Sequence, residues 1–367
     1  MKTSSSSKVA GSQVGMSLVE LMIALLLGII LTLGVVQFFL GSNKTYRTTE
    51  ALAQLQESVR YSLSKLNYEI RMAGHYGCLV GEPADHLDSS HAAYDATLYD
   101  TKVAVIGWEA DDTEPGEKFE IATLDAGGNG WGNGSGDDLP DALAGDVIPG
   151  NDVLVVNSGT RVDVVLDGNP SPPANTIGTQ GNSNIAQGTV LVVVAGDCAA
   201  GDRFQKTNSA NASTITRGGG GSPGNNVSQD LHPYDDSATV YRYTSTAYYV
   251  GEGVDGEPAL FQQSLEPGGG TPLELISGVE NMQVLYGLQN TAGEKGPATS
   301  YVSAADVDDW EEVVSVRLAF LMRSADRILD QVEERTFNLS GTEIAPGADQ
   351  RARLVASSTI GIRNRLE

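Results

Sequence analysis

Apolar and polar positions divide the chain into three patterns. From Leu21 to Leu40 the run LMIALLLGIILTLGVVQFFL contains no charged residue and is apolar on every face of a helix. At 1.5 Å per residue such a helix is roughly 30 Å long, enough to cross the core of a bilayer. Next, Leu52, Leu55, Val59, Leu63, Leu66 and Ile70 recur at steps of three and four, with Glu50, Gln54, Glu57, Arg60 and Lys65 mostly off that stripe. This spacing predicts an amphipathic continuation of the helix, whose stripe is expected to pack on the protein's own sheet, with a coiled-coil partner as the alternative. Gly74 and Gly77 predict its end.

From about residue 76 the period becomes two, or shortens to brief apolar runs. Strands are predicted at Val103–Gly107, Phe119–Leu124, Asp152–Asn157, Arg161–Leu166 and Thr189–Ala195. Further strands are predicted at Thr239–Val250, Ala259–Ser264, Met282–Leu288, Val313–Met322 and Leu354–Ile362. Glycine, asparagine, proline and aspartate punctuate them, and no helices alternate with them, which predicts an α+β fold with an antiparallel sheet. Asp125–Gly150 and Thr207–Asp230 are predicted as long loops, the second mobile.

Composition narrows the function. The chain has 367 residues, 43 of them glycine, and a net charge of −24. Such an acidic surface repels phosphate backbones, so no direct nucleic-acid binding is expected. The only cysteines are Cys78 and Cys198. Two thiols do not make a cysteine zinc site; outside the cytosol they would pair, and otherwise they are separate buried thiols.

The N-terminus carries the strongest signal. Residues 1–15 read MKTSSSSKVAGSQVG, with Lys2 and Lys8 and no acid. Positive charge on this short side keeps the N-terminus cytoplasmic and sends the rest outward. A secretory signal has its small-residue cleavage site after the apolar core. Here Gly15 precedes the core, so cleavage between Gly15 and Met16 would leave the apolar helix on the mature chain. Glu20 stands inside the wider apolar run that opens at Met16, where an ionised side chain is costly unless paired. A place at the lipid headgroups, or at the helix N-terminus beside the macrodipole, would also accommodate it.

A basic leader, a glycine, one hydrophobic residue, three residues, a glutamate and about 20 apolar residues: at Gly15, Met16 and Glu20 this chain resembles a type IV prepilin. Met16 departs from the phenylalanine usual in major pilins, and no proline occurs before Pro83. Downstream, Tyr248–Gly251, Pro258–Phe261, Ser277–Gly287, Val313–Arg323 and Ser357–Arg365 follow in an order that resembles the PilW group of minor pilins and, more distantly, the J-type minor pseudopilins of type II secretion.

The resemblance implies cleavage after Gly15 and N-methylation of Met16 by a prepilin peptidase, and pairing of Glu20 with the N-terminal amine of a neighbouring subunit. It implies a leader at 1–15, a membrane-spanning assembly helix at 16–40, an amphipathic continuation at 41–75 and a β-rich periplasmic head at 76–367. The expected partners are other minor pilins, the major pilin, the assembly platform in the inner membrane and a tip adhesin. The expected work is initiation or tip assembly of a pilus serving twitching, adhesion or DNA uptake. The alternatives are a type II secretion minor pseudopilin and a membrane-anchored adhesin or hydrolase.

Catalytic and metal signals are weak. Gly220-Gly221-Ser222-Pro223-Gly224 matches GxSxG, but Pro223 has no N–H to offer an oxyanion. Glu82, Asp85, His86, Asp88 and His91 read as a solvated acidic loop before a metal site. Asn129–Asp138 offers oxygen ligands for calcium without the EF-hand order. No cofactor and no enzymatic activity are expected.

Overall fold

In a computed structural model, residues 15–79, 81–127, 130–169, 175–266, 269–289 and 296–366 are described. The expected leader, apart from Gly15, therefore lies outside the described residues. The fold is α+β. Helix α1 runs from Leu18 to Arg71 without a break. The chain forms two compact units, Met1–Ala51 and Leu52–Glu367.

In the second unit the strands follow as β1 (Ala84–Asp85), β2 (Val105–Ala110), β3 (Lys118–Glu120), β4 (Trp131–Gly132), β5 (Val153–Arg161), β6 (Leu166–Gly168) and β7 (Thr176–Thr179). Then come β8 (Val190–Val194), β9 (Gly201–Gln205), β10 (Thr214–Thr216), β11 (Thr239–Glu252), β12 (Pro258–Ser264) and β13 (Leu273–Ser277). The last are β14 (Val279–Leu288), β15 (Ser300–Val302), β16 (Val313–Arg327), β17 (Phe337–Leu339), β18 (Thr342–Ala345) and β19 (Arg351–Gly361). Two short helices, α2 (Ala96–Tyr99) and α3 (Arg363–Leu366), follow β1 and β19.

A nine-stranded sheet has the order β1-β9-β8-β11-β5-β2-β4, with β12 on β11 and β13 on β12. A four-stranded sheet has the order β15-β14-β16-β19. Two three-stranded sheets, β10-β7-β6 and β17-β18-β3, complete the unit. Pairing is antiparallel except for β1 with β9 and β18 with β3. The two larger sheets share one core, in which Val105, Trp108 and Val153–Val155 meet Val284, Tyr286, Leu318 and Phe320. Leu55, Leu66 and Ile70 of α1 join that core, with Val59 and Leu63 packed at its margin. The predicted stripe thus covers the sheet, although Leu52 at its start remains exposed.

Several boundaries depart from expectation for local reasons. The helix stops at Arg71, and Gly74 and Gly77 follow with φ of 67° and 74°. At Gly77 a Cβ would sit 2.3 Å from the Tyr241 hydroxyl, so both backbone and space require glycine. The predicted strand Arg161–Leu166 does not form: Arg161 ends β5 and the next strand starts at Leu166. Of Phe119–Leu124 only the first two residues lie in a strand, β3. The Thr207–Asp230 segment, expected as a mobile loop, is built into the fold. It contains β10, and its Arg217 and Asn225 are buried. Asn225 accepts from Gln205 N at 2.7 Å and donates to Gln205 O at 2.8 Å, a pairing that mimics a strand partner.

Candidate functional site

Gly15, Met16 and Ser17 precede α1, and the first helical hydrogen bond runs from Leu21 N to Ser17 O at 3.1 Å. Glu20 falls in the first turn, where the helix dipole favours an acid. It is exposed, and no cation reaches it among the described residues. The large apolar side chains from Met16 to Leu40 are all exposed, Met16 at 68% and Phe38 at 80%. The most apolar 18-residue window of α1 has a mean hydropathy of 2.6 and none of it is buried. Among the described residues α1 is the one helix long and apolar enough to cross a membrane. Thr32, in mid-span, returns its hydroxyl to Gly28 O at 2.7 Å, so its polar group is satisfied within the helix. Apolar surface left uncovered over this length needs either lipid or other helices.

Cys78, just past α1, is joined to Cys198, in the turn between β8 and β9, with Cα atoms 5.3 Å apart. Beside that link lies a polar network that corrects the solvated-loop expectation for Glu82–His91. His86 is 2% exposed, and its Nε2 lies 2.7 Å from Asp202 Oδ1. Arg217 Nη1 lies 2.5 Å from His86 Nδ1. The guanidinium can only donate, so Nδ1 accepts and Nε2–H donates to Asp202. Tyr234 hydroxyl and His232 Nδ1 also donate to Asp202, at 2.6 and 2.9 Å. Burial alone would push the Asp202 carboxyl up; hydrogen bonds from His86, Tyr234 and His232 hold it below the usual range. Arg203 is clamped by Asp85 at 2.6 and 3.1 Å. The network fastens β1 and the Arg217 loop to β9, although Arg203 Nη1 and Arg217 Nε are buried without a hydrogen-bond partner. His91 does not join it and lies exposed.

The other weak signals gain no support from their surroundings. Gly220–Gly224 lies in the loop after β10 with no helix following, and Ser222 uses its carbonyl to accept from Gln205 Nε2 at 2.8 Å. Asn129 lies outside the described residues. Asn133 Oδ1 accepts from Asp137 N at 2.9 Å, a local turn cap. Among the described residues no group of three His, Cys, Asp or Glu is placed to hold a metal ion.

Two buried carboxylates went unseen in the sequence. Asp152, 1% exposed, accepts from Ala110 N at 3.1 Å and Val284 N at 2.7 Å, tying β2 to β14. Glu109, 5% exposed, receives only long hydrogen bonds, 3.3 Å each, from Thr113 Oγ1 and Ala304 N. Burial first, and then the charge of Asp152, drive the Glu109 carboxyl far above the usual range. Burial also raises Asp152, against the pull of its backbone donors. No spacing rule would have exposed them, since Glu109 stands in a strand whose six residues are all buried.

Comparison with known proteins adds one finding. No curated protein and no solved structure matches the chain. Residues 247–364 match the family model described as type IV pilus-assembly protein W, PilW. The match runs from within β11 through β19 to the start of α3, and contains, but for Arg365, every downstream segment in which the sequence resembles the PilW group. Residues 247–364 thus match the PilW family, which supports involvement of this chain in type IV pilus assembly.

Proposed function

We propose that the chain is a minor pilin, anchored in the inner membrane by α1 before it enters the initiating or tip complex of a pilus. The observation that carries this reading is the pairing of a PilW-family match over residues 247–364 with a helix that begins just after Gly15, bears Glu20 in its first turn and leaves its apolar side chains uncovered as far as Leu40. In this reading a prepilin peptidase cuts after Gly15 and methylates the Met16 amine. The head lies in the periplasm. Assembly exchanges lipid contacts for helix–helix packing, and Glu20 meets the amine of the adjacent subunit, each charge offsetting the other's desolvation. A loop-rich head as large as residues 76–367 suits a terminal position better than a lattice repeated thousands of times. The partners are the other minor pilins, the major pilin, the assembly platform and a tip adhesin.

Deletion of the gene is expected to lower surface piliation and twitching, and mass spectrometry of the mature chain to find N-methylated Met16 at its start. A secretion defect with normal twitching would instead assign the chain to a type II secretion pseudopilus. A purified head that turns over a substrate would make it an anchored hydrolase.

A further inference from the structure

The four-stranded sheet ends on one side at β14 and β15, and on the other at β19. The β14 side is closed from within the chain. β15 pairs with Tyr286–Leu288, and the Gly150–Asp152 turn satisfies the stretch before it. There Asn151 Oδ1 accepts from Met282 N at 2.8 Å, Asp152 N donates to Met282 O at 3.1 Å and Asp152 Oδ2 accepts from Val284 N at 2.7 Å.

The β19 side has no such cover. β19 is 11 residues long and pairs only with β16. The remaining strands at sheet ends, β1, β3, β4, β6, β10, β13, β15 and β17, have five residues or fewer. The ladder also shows which groups are open. Ile362 N donates to Val314 O at 2.9 Å, in the register that sets Ser315 opposite Gly361. Antiparallel pairs alternate between bonded and non-bonded, so Leu354, Ala356, Ser358 and Ile360 bond to β16. Val355, Ser357, Thr359 and Gly361 then turn their N–H and C=O groups away from the sheet. Among the described residues nothing hydrogen-bonds to those backbone groups. Natural edges are blunted by short strands, charge or proline. Leu354–Gly361 reads LVASSTIG, without a charge or a proline, and Ser357 and Thr359 are exposed.

We propose that the β19 edge is a docking site for an extended strand of a different pilus subunit, which continues the four-stranded sheet by backbone pairing. The inference rests on the assignment as a minor pilin. The open groups demand an extended backbone, as in β-strand addition, and the uncharged side chains set no electrostatic barrier to it. A second copy of this chain is disfavoured as occupant, because each copy carries a net charge of −24.

The test replaces the chromosomal gene with Ser357→Pro, Ser357→Lys or Glu20→Ala, and measures the full-length chain in sheared pili by immunoblot and its melting temperature in detergent. Proline at 357 removes an outward N–H and leaves the bonds to β16 intact; lysine adds a charge at the edge and covers the case in which the proline variant does not fold. Both variants are expected to melt close to the wild type and to be recovered in pili at least on the order of tenfold less. A photo-crosslinking residue at position 357 is expected to join the chain to another pilus subunit. Wild-type recovery of both edge variants, alongside loss of Glu20→Ala, would overturn the edge proposal alone. So would crosslinks that join two copies of this chain. Absence of the wild-type chain from pili would instead remove the assembly reading beneath it.

Discussion

Replacing Glu109 by glutamine probes the buried carboxylates where the two larger sheets meet. Glu109 is 5% exposed, and burial together with Asp152 keeps its carboxyl protonated through neutral pH in the folded chain. In the unfolded chain it titrates near the ordinary value of 4.5. The folded state therefore binds more protons than the unfolded state above that value. The stability is complete below pH 4.5 and is lost as pH rises toward the folded-state pKa. One extra proton amounts to about 1.4 kcal/mol per pH unit, or about 2.5 kcal/mol between pH 5 and pH 7 once the residual protonation of the unfolded chain at pH 5 is allowed for. Glutamine imitates the protonated acid, with one acceptor oxygen and a donor, and carries no proton to lose. Urea titrations of the full-length chain in detergent, followed by the emission of buried Trp108 and Trp310, measure the effect. The stability of Glu109→Gln relative to wild type should rise by about 2.5 kcal/mol between pH 5 and pH 7. Parallel pH dependences would show that Glu109 is ionised in the folded chain, and would refute the account of this pair.

The remaining predictions use other parts of the molecule. Cys78→Ser with Cys198→Ser opens a link spanning 120 residues, and chain entropy sets the loss at about 5 kcal/mol, read as a lower urea midpoint that reductant reproduces in wild type. Arg353 holds Glu280 at 2.6 and 2.9 Å with both side chains 1% exposed, so Arg353→Ala leaves the buried acid only a longer contact, 3.5 Å, to Arg323 and should cost about 3 kcal/mol, while simultaneous replacement of Glu280 by Gln should restore part of it. Glu20→Ala should leave leader processing unchanged on immunoblots of membranes but deplete the chain from sheared pili; equal recovery of mutant and wild type would contradict the role given to this carboxylate.

What the sequence disclosed follows from how local each signal is. The anchor and the stripe from Leu55 to Ile70 were legible because helix periodicity writes burial directly into spacing. The long strands β5, β11, β14, β16 and β19 were legible because they carry runs of apolar and β-branched residues. The short strands β4, β7, β9, β10 and β13 were not. β9 reads GDRFQ, which is polar by composition, yet all five residues are buried. Its Asp202 and Arg203 are inside because His86, Tyr234 and Asp85 come to meet them from up to 118 positions away, and no window of sequence contains such a meeting. The same limit hid Asp152, whose value to the fold lies in N–H groups offered by β2 and β14.

This separation bears on where partner recognition can reside. Polar groups of the head are largely consumed by one another: Asp202 takes donors from three side chains, Asp152 closes the edge of β14, and Glu280 is held by Arg353. These networks fix the fold from within. Among the described residues two features stand open to a partner. One is the apolar surface of α1 from Met16 to Leu40, and the other is the outward backbone of β19. Both offer repeating, extended contact to another polypeptide or to lipid, and neither presents convergent polar chemistry. A protein whose unused bonding capacity takes those two forms is suited to joining an assembly, the same direction in which the PilW-family match points.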